Sequence, residues 1–249
     1  MKVRMYNVGF GDCFCLRDRK KSLLVDFGTN NSRIEGRPRR EIFDVIISDL
    51  STIKSKNLLL THFHMDHLSG LLYMMKKKDI SVDFGKIYLP DVFSKKEMSR
   101  TLVLLLLADL LKESGLPSRQ VSLFALVDAL LENKQNVELL SRGKLFENKY
   151  QALWPDTDVI RKETDEVYNR ICEDGKFKEV MDVLLEFAEK LRLIVWSMTA
   201  EGNKPAETVE KETDLTASEL TEQPEVRQKI IRAYVYERCL LYTSDAADE

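Results

Sequence analysis

Asn57-Leu58-Leu59-Leu60-Thr61 runs directly into His62-Phe63-His64-Met65-Asp66-His67-Leu68-Ser69-Gly70, and the three histidines of the chain all fall within six positions of that loop. A short, continuous apolar run bounded by polar residues has the pattern of a strand buried on both faces. The loop behind such a strand is held on a rigid scaffold and is a natural place for functional side chains. A helix predicted over about Ser69 to Lys77 and a strand at Lys86 to Leu89, stopped by Pro90, complete a βαβ-like unit around the loop.

The flanking sequence builds outward from this unit. Lys2 to Val8 alternates basic and apolar residues, Gly9-Phe10-Gly11-Asp12 punctuates, Cys13 to Arg17 resumes, and Leu23 to Asp26 follows a polar turn, so an antiparallel meander is predicted. Ile42, Val45, Ile46 and Leu50 fall at helical spacing within Arg39 to Leu50. Ser94 to Glu113 is apolar nearly all round and predicts a buried helix. Ser118 to Glu132 places Leu123, Leu126, Val127, Leu130 and Leu131 on one stripe. Short strands are expected at Val137 to Leu140, Lys144 to Phe146 and Tyr150 to Trp154, and an amphipathic helix over Lys176 to Leu193. Glu201 to Glu225, with eight acidic and two basic residues, predicts a solvated loop, followed by a short helix from Pro224 to Glu237.

At 249 residues with 44% hydrophobic side chains, the chain has enough apolar content for one sizeable core, and 10 Gly with 6 Pro exclude a linker-dominated polymer. Net charge is -3, yet residues 1–100 hold 19 basic against 12 acidic residues and residues 101–249 hold 19 against 29, so the first segment attracts anions. Cys13, Cys15, Cys172 and Cys239 follow no disulfide framework. Cys13 and Cys15 share one face and read as buried thiols of a reducing compartment. The N-terminus has no apolar signal-peptide core, and Leu102 to Leu111, broken by Asp109, is too short for a bilayer. A cytoplasmic, membrane-free protein is expected.

Imidazole nitrogen and carboxylate oxygen are the donors that borderline divalent metals take. In an extended loop, His62 and His64 point the same way and clasp one ion, while Asp66 and His67, after a bend, face a second. Two such ions share a hydroxide and stabilise attacking and leaving oxygens. Zinc is the expected metal, with manganese or iron as alternatives, and Asp66 is expected to act in catalysis as well as in ligation. No Gly-rich phosphate loop, CxxC pair or Ser-His-Asp order supports a rival chemistry.

The HxHxDH loop behind an apolar strand resembles that of the metallo-β-lactamase fold superfamily of metal-dependent hydrolases. Asn7-Val8-Gly9-Phe10-Gly11-Asp12 followed by Leu24-Val25-Asp26-Phe27-Gly28 is similar to the branch containing the C-terminal hydrolase domain of DNA-uptake competence proteins. The resemblance covers about residues 1–92 well and Leu139 to Pro155 loosely. It implies an α/β fold, the N-terminal part of an αββα sandwich with helical insertions and a dinuclear site at the sheet edge. It also implies that Asp26 supports the ligand loop from behind, and that Gly9, Gly11 and Asp12 lie near the mouth of the site. Turn geometry alone also accounts for the Gly-x-Gly-Asp stretch, and Ser69 and Gly70 read as a helix start. Arg33, Arg37, Arg39 and Arg40 either meet an anionic substrate or form a solvated face.

The expected organisation is a metallo-β-lactamase-type N-terminal part over residues 1–155 with a helical insertion at about 94–132, a helical, partly acidic insertion over 156–238, and a tail over 239–249. That tail, CLLYTSDAADE, resembles the translation of a transposase-type sequencing adapter, so a C-terminally truncated chain is expected. The superfamily completes its metal sites with later histidines, and this chain has none after His67. The leading expectation is a metal-dependent hydrolase of phosphodiester or nucleic-acid-type substrates as the full-length parent, with the chain as written expected to bind metal poorly and to be inactive because each ion keeps two protein ligands. A hydrolase of thioesters or lactones, or a non-catalytic binding or regulatory module, is the alternative.

Overall fold

In the computed structural model, residues 1–18, 21–77, 83–113, 123–173 and 175–200 are described. The acidic loop of 201–225, the helix expected over 224–237 and the tail of 239–249 lie outside the described residues.

A mixed six-stranded sheet organises the molecule. Strands β1 (Lys2–Met5), β2 (Phe14–Asp18) and β3 (Lys21–Val25) form the expected antiparallel meander, with Met5 opposite Phe14 and Phe14 opposite Val25. A two-stranded ribbon, β4 (Arg33–Ile34) and β5 (Arg37–Pro38), leads into helix α1 (Arg39–Ser51), whose buried stripe is Ile42, Phe43, Ile46, Ile47 and Leu50. The chain then enters β6 (Lys56–Leu59), parallel to β3, and passes through helix α2 (Met65–Lys76) to β7 (Ile87–Pro90), parallel to β6. Helices α3 (Ser99–Glu113) and α4 (Leu123–Glu132) precede β8 (Val137–Leu140), which adds in parallel to β7. The sheet order is β1-β2-β3-β6-β7-β8, with a separate hairpin of β9 (Leu145–Phe146) and β10 (Tyr150–Gln151).

Alternation along the strands divides the core in two. Leu24, Leu58, Ile87, Leu89, Val137 and Leu139 face the helices, whereas Leu23, Tyr88 and Leu140 turn to the opposite face, where Phe146 and Ala152 of the hairpin region cover them. The central strands are therefore buried on both sides, as their continuous apolar sequence requires. β1 is an edge strand, and Val3 and Met5 remain exposed.

Two helices follow the hairpin, α5 (Thr157–Glu173) and α6 (Gly175–Ser197). Met181, Leu184, Ala188, Leu191 and Val195 of α6 are buried in the main core, and α6 packs on α3, as does α5. With α4 on it as well, α3 has neighbours on several sides, which accounts for its nearly uniform apolar sequence. Asp109, the break in that sequence, is itself buried and accepts the amide of Phe124 at 3.1 Å, tying the first turn of α4.

Several boundaries differ from the sequence expectation. Asp91 accepts from the amide of Ser94 at 3.1 Å and its hydroxyl at 2.7 Å, holding Ser94 in a turn, so α3 starts at Ser99 behind a 3-10 turn at Lys96–Met98. Pro90 belongs to β7, as a last residue that needs to donate no ladder bond. Helix α5 lies within the stretch expected to be helical over 156–238 but had no bounds of its own there, because its exposed surface is highly charged and only Tyr168 is fully buried. Among the described residues, no helix is long and apolar enough to cross a membrane.

Candidate metal centre

The site lies at the C-terminal ends of the neighbouring parallel strands β3 and β6. Helix α2 begins at Met65, not near Ser69 as its sequence suggested, with His64 as the extended residue before it. His67 is thus on the first turn of a helix, and Asp66 places a carboxylate at the positive helix N-terminus. Ser69 and Gly70 lie one turn further in. Ser69 Oγ donates to the Thr29 carbonyl and accepts the Thr29 amide, both at 2.9 Å, and a Cβ on Gly70 would lie 2.6 Å from the Phe27 ring. Their role is to clamp α2 against the segment after β3.

That segment holds the ligand loop by its backbone. Phe27 N–H donates to the His67 carbonyl at 2.7 Å, the Phe27 carbonyl accepts from Gly70 and Leu71, and Asp12 N–H donates to the Asp66 carbonyl at 3.2 Å. Contact is close enough to exclude side chains: a Cβ on Gly28 would lie 2.6 Å from Leu68 N, and one on Gly11 would lie 2.7 Å from the Asp66 carbonyl oxygen. Gly9 is the turn glycine of its loop, at φ 71°. Turn geometry therefore explains Gly9, whereas Gly11 is required by close approach to the ligand loop.

The side chains converge. The His62 and His67 rings lie with centroids 3.7 Å apart, tilted by 51°, and His64 meets His62 edge-on at 4.8 Å. One ligand atom each from His62, Asp66 and His67 lie within 4.8 Å of one another, and the same holds for Asp12, Asp26 and His67. His67 Nε2 is 3.7 Å from Asp66 Oδ2, while its Nδ1 is 2.9 Å from Asp26 Oδ2 and 3.6 Å from Asp12 Oδ2. Asp12, expected only near the mouth, is thus directly at the site. The grouping also differs from the sequence pairing: His62 joins Asp66 and His67, so the donors close together number three, not two.

Asp26 sits in the left-handed region at φ 53°, which an aspartate tolerates at a strand end, and is almost fully buried. Its Oδ1 accepts the Thr61 amide at 2.8 Å and its Oδ2 accepts the Thr61 hydroxyl at 2.7 Å as well as facing His67 Nδ1. Burial pushes the His67 imidazole down, but the bond and charge of Asp26 outweigh it and the net displacement is upward. His62 is held below the ordinary imidazole value, first by burial and then by its histidine neighbours. Thr61 gave no signal in the sequence reading because its side chain ligates nothing; its place after the apolar strand and before the first histidine was the available clue.

A carboxylate behind a histidine, aiming the other ring nitrogen at a further carboxylate, is the arrangement by which proteins orient metal ligands. The donor set of imidazoles and carboxylates fits a borderline divalent ion. Residues 6–91 match the metallo-beta-lactamase superfamily. The matched stretch runs from just after β1 through β7 and contains every candidate ligand, and the mixed sheet with its helices is consistent with the sandwich fold of that superfamily. A 77-residue stretch is 32% identical to the endoribonuclease YSH1 of Mycosarcoma maydis; it spans 31% of this chain and 8% of that protein. No solved structure matches the chain.

Proposed function

We propose that the chain belongs to a metal-dependent hydrolase acting on phosphodiester bonds, with His62, Asp66 and His67 as the primary ion-binding group, His64 beside them, and Asp12 available on the other side of His67 to a second ion. The observation that carries this reading is the convergence of three donors within 4.8 Å in front of an orienting Asp26. A divalent ion held there, zinc or alternatively manganese or iron, supplies a water of lowered pKa and a positive charge for a phosphoryl oxygen. Asp66 faces the same point from the first turn of α2 and is placed to accept a proton. Asp12, whose side chain is 44% exposed, faces the approach to His67 from solvent.

Two features favour an anionic, nucleic-acid-type substrate. The loop carrying Asp12 touches the segment before the β4–β5 ribbon, where Phe10 N donates to Asn31 Oδ1 at 3.0 Å, and the turn of the ribbon itself, where Asn7 donates to Glu35 at 2.8 Å, so Arg33 and Arg37 stand on an element joined to the site. Phe10 is 76% exposed on that loop, although its backbone is fixed by Asn30 and Asn31, and an exposed aromatic ring suits stacking on bases. The similarity to an endoribonuclease points the same way.

Chelator-stripped protein reloaded with zinc or manganese should cleave bis(p-nitrophenyl) phosphate or a labelled oligonucleotide, and His67→Ala should abolish turnover. Cleavage of a thioester or lactone in preference to either phosphodiester would overturn the substrate assignment. A non-catalytic binding module is the second reading, favoured by the sharing of His67 between both donor groups in a chain with three histidines; saturable metal binding without turnover of any of these substrates would select it.

A further inference from the structure

We infer that Thr61 is a positioning residue that transmits the Asp26 carboxylate to His62, so that a single aspartate sets the tautomers of two histidines at once. Thr61 Oγ1 is 2.7 Å from Asp26 Oδ2 and 3.0 Å from His62 Nδ1. A hydroxyl has one proton to give. Asp26 is an acceptor when ionised, so a Thr61 proton directed at His62 would leave two oxygens face to face at 2.7 Å with no hydrogen between them. The proton therefore goes to Asp26, and the Thr61 oxygen accepts from His62 Nδ1–H. His67 Nδ1, 2.9 Å from the same Oδ2, donates its own proton directly. Asp26 thereby takes three donors: the Thr61 amide on Oδ1, and the Thr61 hydroxyl and His67 ring on Oδ2.

Both rings then carry their proton on Nδ1 and present the Nε2 lone pair, which for His67 is the nitrogen directed toward Asp66. Without the threonine hydroxyl, His62 has no contact among those described that selects its tautomer, and a proton on Nε2 would block ligation through that atom. The value of this arrangement for ion binding rests on the metal-site reading above; the tautomers do not, because they are properties of the metal-free protein.

The test is long-range proton–nitrogen NMR of histidine-labelled, metal-free protein at about pH 9, well above the ordinary imidazole value of ~6.5. In the parent chain both His62 and His67 should show a protonated Nδ1 and an unprotonated Nε2. Thr61→Val should return His62 to a mixture of tautomers, leave His67 unchanged as an internal report that Asp26 is in place, and weaken zinc binding by roughly tenfold or more. Thr61→Ser should restore the His62 signature. A parent chain in which His62 is protonated on Nε2, or a folded Thr61→Val whose His62 matches the parent, would overturn the proposal. If Thr61→Val does not fold, the parent and Thr61→Ser spectra still decide it. Correct tautomers in a protein that binds no zinc would uphold the relay and sink the metal-site reading instead.

Discussion

His67 Nδ1 lies 2.9 Å from Asp26 Oδ2, joining the end of β3 to the first turn of α2 across 41 positions of sequence. Asp26 also satisfies the amide and hydroxyl of Thr61, so its removal strips partners from a buried corner and disorients a ligand together. Asp26→Ala is expected to lower zinc affinity by 10- to 100-fold and to destabilise the fold by about 2 kcal/mol. Calorimetric titration and urea unfolding measure the two effects; an affinity within twofold of the parent would contradict the orienting role.

Gly11 and Gly28 should respond differently from Gly36. A methyl group at Gly28 meets the backbone of Asp66 and Leu68, neither of which has room to yield, whereas at Gly36 it meets nothing within 4 Å and only the positive φ of 80° penalises it. Gly28→Ala is expected to cost several times more than Gly36→Ala, which should lose about 1 kcal/mol. Equal midpoints in urea for the two variants would show that the ligand loop is not pressed against this segment.

How much of this was legible beforehand differs by element. The buried strand β6 and the clustered histidines were readable because an apolar run and a rare residue type each leave a strong local signal. The start of α2 was not, since Met65-Asp66-His67 is read as loop when the histidines are taken as loop ligands; backbone groups of Phe27 and Thr29, in a segment some 40 residues earlier, dock the first turns of that helix. Gly11 looked like a turn residue because close backbone approach leaves no mark in local sequence. Asp12 was legible only as a residue near the mouth, not as a neighbour of His67 at 3.6 Å, and Thr61 met Asp26 only when β3 and β6 were set side by side. Helix α5 was expected as part of a helical stretch, but its polarity hid its bounds, its buried face amounting to Tyr168 with partly buried Ile160 and Ile171.

Helix α6 is an integral part of the core. Leu184 is buried against the helix layer that contains α3. Leu184→Ala should lower stability by about 2–5 kcal/mol, and backbone amides over Val180 to Val195 should be protected from hydrogen exchange. Rapid exchange throughout that stretch would mean that α6 does not pack on α3 in solution.

Asp49 makes an acid-sensitive fastening between β1, β2 and α1. Burial pushes its carboxyl up, but bonds from Tyr6 and Arg4 and the charge of Arg17 outweigh it, so the net displacement is downward. A carboxylate whose folded value is depressed contributes stability that is present above the unfolded value of ~3.9 and lost as pH falls through the folded one. Asp49→Asn should therefore be less stable than the parent at pH 7, with the difference shrinking as pH falls below ~4. A difference that grows on acidification would contradict the sign.

The central claim, that His62, Asp66 and His67 form a divalent-ion site, is tested most directly by calorimetric titration of zinc into chelator-stripped parent chain and into His67→Ala. The account predicts saturable binding by the parent and at least tenfold weaker binding by a folded His67→Ala. No saturable binding by the parent, or equal affinity in the two proteins, would contradict it.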